Sequence, residues 1–181
     1  MSINKTSIPV KSMVYVALFT AVLCAVSPFS IAIGPIPLSF ATLAIYLAAG
    51  TLGWKYGTAS VIIYVMLGAF GLPVFSGFGA GFSKIAGPTG GFIVGYLPLA
   101  LATGISANHI GKNRWLLIPG MAIGTLLLYT CGVAWFMLQT RASLAAALMA
   151  CVVPFLIGDT IKIIIAFIVA PQLRAALRFA K

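Results

Sequence analysis

The chain has 181 residues, 62% of them hydrophobic and only 7% charged, with a mean hydropathy of +1.16. A soluble domain carries about 25% charged residues, so this composition argues against a globular soluble enzyme and for the lipid bilayer as solvent. Eleven Lys and Arg stand against one Asp, a formal charge of +10, but they lie singly or in pairs between apolar blocks, as the positive-inside rule arranges them, and form no stripe for nucleic acid.

The pattern predicts an all-α integral membrane protein of six transmembrane helices in a single domain, residues 1–181, with cytoplasmic tails over about 1–12 and 172–181. Met13 to Ile33 is the first helix; it has no clear small-residue cleavage site after it and does not read as a leader. Gly34-Pro35-Ile36-Pro37 ends it, because two prolines break the hydrogen-bond ladder. A shorter apolar block runs from Leu38 to Leu52, followed by a turn at Gly53-Trp54-Lys55-Tyr56-Gly57 and a third helix from Thr58 to Leu72. Pro73 to Gly91 is the longest predicted non-helical stretch, rich in glycine yet still apolar through Phe75, Phe78, Phe82 and Ile85. Irregular backbone of that kind is tolerated at membrane depth only inside protein or beside a cavity. Phe92 to Ala107 is the fourth helix, Trp115 to Leu138 the fifth and Leu144 to Val169 the sixth, closed by Pro171 and a basic tail.

Six spans put both ends of the chain on one side. That side holds Lys5, Lys11, Lys55, Lys112, Arg114, Arg174, Arg178 and Lys181, and the other holds Lys84 and Arg141. The bias places both termini in the cytoplasm and the Pro73–Gly91 loop outside the cytoplasmic membrane.

The residues that could carry chemistry are few. Asp159 and Lys162 lie three apart on one face of the sixth helix, inside an apolar run. A charge at the bilayer centre costs about 2.5–3.5 kcal/mol on insertion scales, so such residues turn inward and pair or meet a ligand. A purely structural ion pair is the plainer alternative, and a weaker one, because apolar residues often serve stability as well. Lys84, in the outer loop, is either solvated or meets an anionic group. Gly87-Pro88-Thr89-Gly90-Gly91 lacks the Gly-Lys-Ser/Thr ending of a phosphate loop; its glycines let backbone approach a ligand or a helix closely. Ala17, Ala21 and Ala25 form a small-residue face on the first helix, and Gly91/Gly95 and Gly120/Gly124 repeat the spacing. One acid and one histidine, His109, are poor material for general acid–base catalysis, no cofactor or metal is indicated, and Cys24, Cys131 and Cys151 read as buried free thiols.

Gly71-Leu72-Pro73-Val74-Phe75-Ser76-Gly77, then Gly87-Pro88-Thr89-Gly90-Gly91-Phe92, then Pro154-Phe155-Leu156-Ile157-Gly158-Asp159-Thr160-Ile161-Lys162 together resemble the BioY family, the biotin-specific substrate-binding (S) components of energy-coupling-factor (ECF) transporters. The likeness runs from about residue 10 to 175. It implies an outward-facing biotin pocket in which Asp159 and Lys162 supply polar contacts. It implies that the loop between the third and fourth helices closes over the ligand, and that the first helix docks a transmembrane coupling (T) subunit carrying two cytoplasmic ATPases. On that reading Lys84 is the candidate for the biotin carboxylate, Gly87, Thr89 and Gly90 belong to the closing loop, and Phe75, Phe78 and Tyr96 supply walls. The chain departs from the family pattern at Gly79 and Ala41, where many members carry a polar residue, and at Ile93 and Val94, where some carry a cation. Alternatives are an S component for another vitamin, a structural or assembly membrane protein, and a membrane enzyme. Six helices without a clear inverted repeat are small for a complete secondary transporter and favour a subunit.

Overall fold

The computed structural model describes residues 10–32, 36–110 and 113–177. Gly34 and Pro35 of the predicted turn, and the basic residues Lys5, Lys112, Arg178 and Lys181, lie outside the described residues. Among the described residues the order is α1 (Val10–Val26), β1 (Ser30–Ala32), β2 (Pro37–Ser39), α2 (Ala41–Ala69), α3 (Phe82–Ala86), α4 (Gly90–Ala107), α5 (Leu117–Thr140), α6 (Leu144–Cys151) and α7 (Val153–Ala176), with 3-10 turns at Ser76–Phe78 and Arg114–Leu116.

The first helix ends at Val26, short of the predicted Ile33. Ser27 N makes a last helical bond to Leu23 O at 3.0 Å, and Pro28 has no N–H with which to continue. The next residues instead form a small antiparallel hairpin in which Ser30 pairs with Ser39 and Ile31 with Leu38.

The predicted second and third helices meet without an intervening loop. Gly53 carries the whole bend, at φ 79° and ψ −179°, a conformation in the left-handed half of the map that favours glycine. The two arms of α2, residues 41–52 and 54–69, then fold back on each other. A Cβ added to Gly57 would stand 2.5 Å from Ala49 Cα, whereas residues eight apart in a straight helix are about 12 Å apart.

The predicted non-helical stretch contains α3 and a 3-10 turn, and the predicted sixth helix is broken at Val152 (φ −125°, ψ −56°). Pro154 then sits in the first turn of α7, where its missing N–H costs nothing. α7 continues through Pro171 to Ala176, beyond the predicted end at Val169.

α4 and α5, and α7 from Val153 on, are each long and apolar enough to cross a membrane, and α1 is an apolar helix of 17 residues. With the two arms of α2 they make a transmembrane bundle. α4 and α5 approach closely where Gly95 faces Leu128 and Gly124 faces Leu99, the small-residue contact expected where lipid gives helices no hydrophobic reason to associate. α7 divides its two faces cleanly. Ile157, Ile161, Ile164 and Ile168 are exposed, and Asp159, Lys162, Ala166 and Ala170 are buried.

The bundle has two unlike ends. At one, the starts of α2, α4 and α7 surround a cavity overlain by residues 73–89. At the other, Gly104 packs on the backbone of Trp54, Gly50 on Ala170, and Arg174 Nη1 donates to Thr51 O at 3.4 Å.

Candidate ligand-binding site

The cavity holds about 580 Å³ of empty space, including its mouth. Small-molecule sites combine apolar walls with a few placed polar groups. The walls here are mostly apolar. Phe75, Phe92, Phe155 and Tyr96 supply rings, and Ile36, Leu38 and Leu128 fill between them. Phe75 keeps its place because Gly68 leaves room for the ring and the Tyr64 ring meets it edge-on at 5.8 Å. Tyr64 is itself fixed by its hydroxyl, which donates to Val74 O at 3.1 Å.

One pole of the cavity is built around Asp159. Its Oδ1 accepts from Lys162 Nζ at 3.0 Å and from Thr42 Oγ1 at 3.3 Å, and its Oδ2 accepts from the Tyr129 hydroxyl at 2.7 Å. A carboxylate offers about four lone-pair positions, so Oδ2 retains one. Lys162 is occupied differently. Its ammonium donates to Asp159 Oδ1, to Thr42 Oγ1 at 2.9 Å and to Ser39 O at 2.7 Å. An ammonium has three donors, and all three are engaged. Three elements therefore converge: α7 supplies the ion pair, α5 the phenol, and the junction of β2 with α2 the carbonyl and hydroxyl. Both charges are buried, at 4% exposure for Asp159 and 6% for Lys162, and their hydrogen bonds are what makes that burial tolerable.

The other polar groups come from the overlying segment. Lys84 lies along Gly79, where an added Cβ would stand 2.9 Å from Cε and 3.0 Å from Cδ. The glycine is thus the channel through which the lysine stem reaches the cavity. Ser76 Oγ, on the same cavity, is buried with no hydrogen-bond partner among the described residues, and Thr89 Oγ1 donates to Lys84 O at 3.4 Å.

The model of the BioY family matches residues 2–179. This chain belongs to the BioY family. It is 35% identical over 165 residues to the biotin transporter BioY of Thermotoga maritima, covering 91% of this chain and 96% of that one. It is 37% identical over 164 residues to the probable biotin transporter BioY of Pyrococcus horikoshii, with the same coverage. Among solved structures it is similar to the S-component for biotin from an ECF-type ABC transporter, determined at 2.1 Å, with a TM-score of 0.82, 28% identity, and coverage of 97% of this chain and 95% of that one.

Of the residues singled out in the sequence of this BioY family member, Asp159, Lys162, Lys84, Thr89, Phe75 and Tyr96 line one cavity. Gly87, Gly90 and Phe78 are not among its lining residues. Phe78 is 60% exposed and packs edge-on against Phe29 at 5.8 Å; Gly87 and Gly90 lie against the backbone of α3, and Gly87 O accepts from Trp135 Nε1 at 3.0 Å. Ala17, Ala21 and Ala25 are exposed on α1. Ala17 and Ala21 line a separate apolar groove between α1 and the second arm of α2, with Met13, Tyr56 and Ile63.

The sequence reading missed Tyr129, Thr42 and Ser39. A hydroxyl inside an apolar span needs a partner, and Tyr129 among Leu126, Leu127 and Leu128 carries that signal. Nothing local marks Ser39, which contributes a backbone oxygen.

Proposed function

We propose that this chain captures biotin at the outer face of the membrane, as the substrate-binding subunit of an ECF-type uptake transporter. It is a transport component and not an enzyme. The observation that carries the reading is the two-ended cavity, in a chain whose whole length matches a biotin S-component. Biotin has a ureido group at one end, a carboxylate at the other and an apolar body between. The open lone pair of Asp159 Oδ2 suits a ureido N–H. The ureido carbonyl can accept a hydrogen bond from Lys162 only by displacing one of its three present acceptors. Lys84, whose ammonium makes no hydrogen bond or ion pair among the described residues, suits the carboxylate, and Ser76 Oγ offers a further donor. The rings of Phe75, Phe92, Tyr96 and Phe155 suit the thiophane and the aliphatic tail.

The orientation follows from charge. Lys11, Lys55, Arg114 and Arg174 lie at the end away from the cavity, and Lys84 and Arg141 at the cavity end, so the cavity opens outward and both termini are cytoplasmic. The partners are a transmembrane T subunit and two cytoplasmic ATPases, with the Ala17–Ala21–Ala25 face as the docking surface. Titrating biotin, thiamine and riboflavin into the purified protein in detergent tests the ligand. Stoichiometric binding of biotin alone is expected. Binding of another vitamin in its place would overturn the choice of biotin, and binding of none would overturn the capture role.

A further inference from the structure

At the start of α4, Gly91 faces α5, while Gly90 lies against the carbonyl of Ile85 on α3 with the Trp135 indole next to it. An added Cβ on Gly91 would collide with Trp135 Cβ, and one on Gly90 would lie 3.1 Å from Trp135 Nε1. The half-buried indole therefore fits against the pair, and its N–H donates to Gly87 O at 3.0 Å. One turn further along α5, Gln139 Nε2 donates to Ala86 O. Residues 135 and 139 share a helical face, and their acceptors are consecutive carbonyls at the exit of α3, of which Gly87 O also accepts from Gly90 N at 3.0 Å. α3 carries Lys84, and the turn after it carries Thr89, both of which line the cavity.

From this arrangement we infer that Trp135 and Gln139 are positioning residues: they clamp the segment 82–89 across the cavity and so set how long a ligand stays and how well its charged end is recognised. The inference rests on the cavity being the biotin site. Neither side chain lines the cavity, so they act through the backbone they hold. Gly91 serves the same end by admitting the Trp135 side chain, and Gly90 by letting the Ile85 carbonyl of α3 approach.

Trp135→Phe keeps the ring and deletes the donor; Gln139→Leu keeps the bulk and deletes the amide. In purified protein, each is expected to speed dissociation of labelled biotin by about 3- to 10-fold, the range that one net hydrogen bond supports, and the double variant by more. The ratio of biotin to biotinamide affinity should fall as Lys84 loses its place, while the melting temperature stays close to that of the unmodified protein. Without ligand, hydrogen exchange in peptides covering 82–90 should accelerate selectively. Unchanged dissociation and exchange in the folded double variant would overturn the clamp. So would a general loss of melting temperature without selective exchange, since the side chains would then be ordinary packing. Lys84→Met separates the two readings. If it leaves the biotin to biotinamide ratio intact, Lys84 is not the carboxylate contact, and dissociation and exchange alone decide the clamp. If the unmodified protein binds no biotin, the ligand assignment fails and exchange decides.

Discussion

Replacing Asp159 by Asn changes one atom's chemistry at nearly constant shape, and the geometry fixes which atom it has to be. Oδ1 accepts hydrogen bonds from both Lys162 and Thr42, so the amide oxygen of the variant takes that position. Its NH2 then stands where Oδ2 was, facing Tyr129. The phenol can turn and accept, but a ligand N–H arriving at the old Oδ2 meets a donor instead of an acceptor. Hydrogen bonds to charged groups contribute about 1.5–3 kcal/mol, which corresponds to roughly 10- to 150-fold in Kd. A second effect falls on the fold. Lys162 loses its counter-ion while staying buried, and breaking a buried pair from one side costs about 3–5 kcal/mol. Asp159→Asn combined with Lys162→Met should restore much of the melting temperature and none of the binding. Calorimetric titration with biotin, alongside thermal unfolding in the same detergent, reads both. A folded Asp159→Asn variant that binds within twofold of the unmodified protein would remove Asp159 from the site. A double variant no more stable than the single would refute the ion-pair reasoning.

Further expectations follow from other contacts. Gly79→Ala puts a Cβ against the Lys84 stem and should weaken biotin binding about 5- to 30-fold with little change in melting temperature, the scale of a 1–2 kcal/mol misplacement of one charged contact; equilibrium binding checks it. Gly57→Val cannot be accommodated beside the Ala49 backbone and should lower stability by about 1–3 kcal/mol or more, seen as loss of monodisperse protein on size exclusion. Ala17→Trp with Ala21→Trp should leave biotin binding intact and abolish co-purification with the ATPase-bearing partners; intact complex formation would show that this face is not the interface.

The bilayer as solvent and the inward, paired placement of Asp159 were legible because both follow from the cost of charge in an apolar medium, which needs no knowledge of the fold. The proximity of Lys162 was legible because helical spacing alone brings the pair together, at 3.0 Å. Thr42 and Tyr129 were not, since each is brought to Asp159 by packing across more than 29 residues of chain. Helix ends were read less well for a similar reason. Pro28 stops α1 in the middle of an apolar run, and hydropathy does not distinguish the helix from the hairpin that follows. The break at Val152 has no local signature beyond Pro154, which is equally at home in a first turn. The glycine-rich loop was singled out for close backbone approach, and what Gly91 approaches is the side chain of Trp135, a partner that only the tertiary structure supplies.

The end of the bundle around Gly53 has a practical consequence for any mutational survey. There Gly53 and Gly104 bring backbone against backbone, and Gly50 lies against Ala170, so nearly any added side chain disturbs the assembly of the helices as a whole. At the opposite end, segments are held by single hydrogen bonds such as Gly77 N to Pro28 O at 2.9 Å and Gly81 N to Gly68 O at 2.7 Å. A library scored for both membrane yield and ligand retention should therefore sort by depth. Damaging changes near Gly53 should remove protein from the membrane, and those near the mouth should leave its amount unchanged while emptying it of ligand.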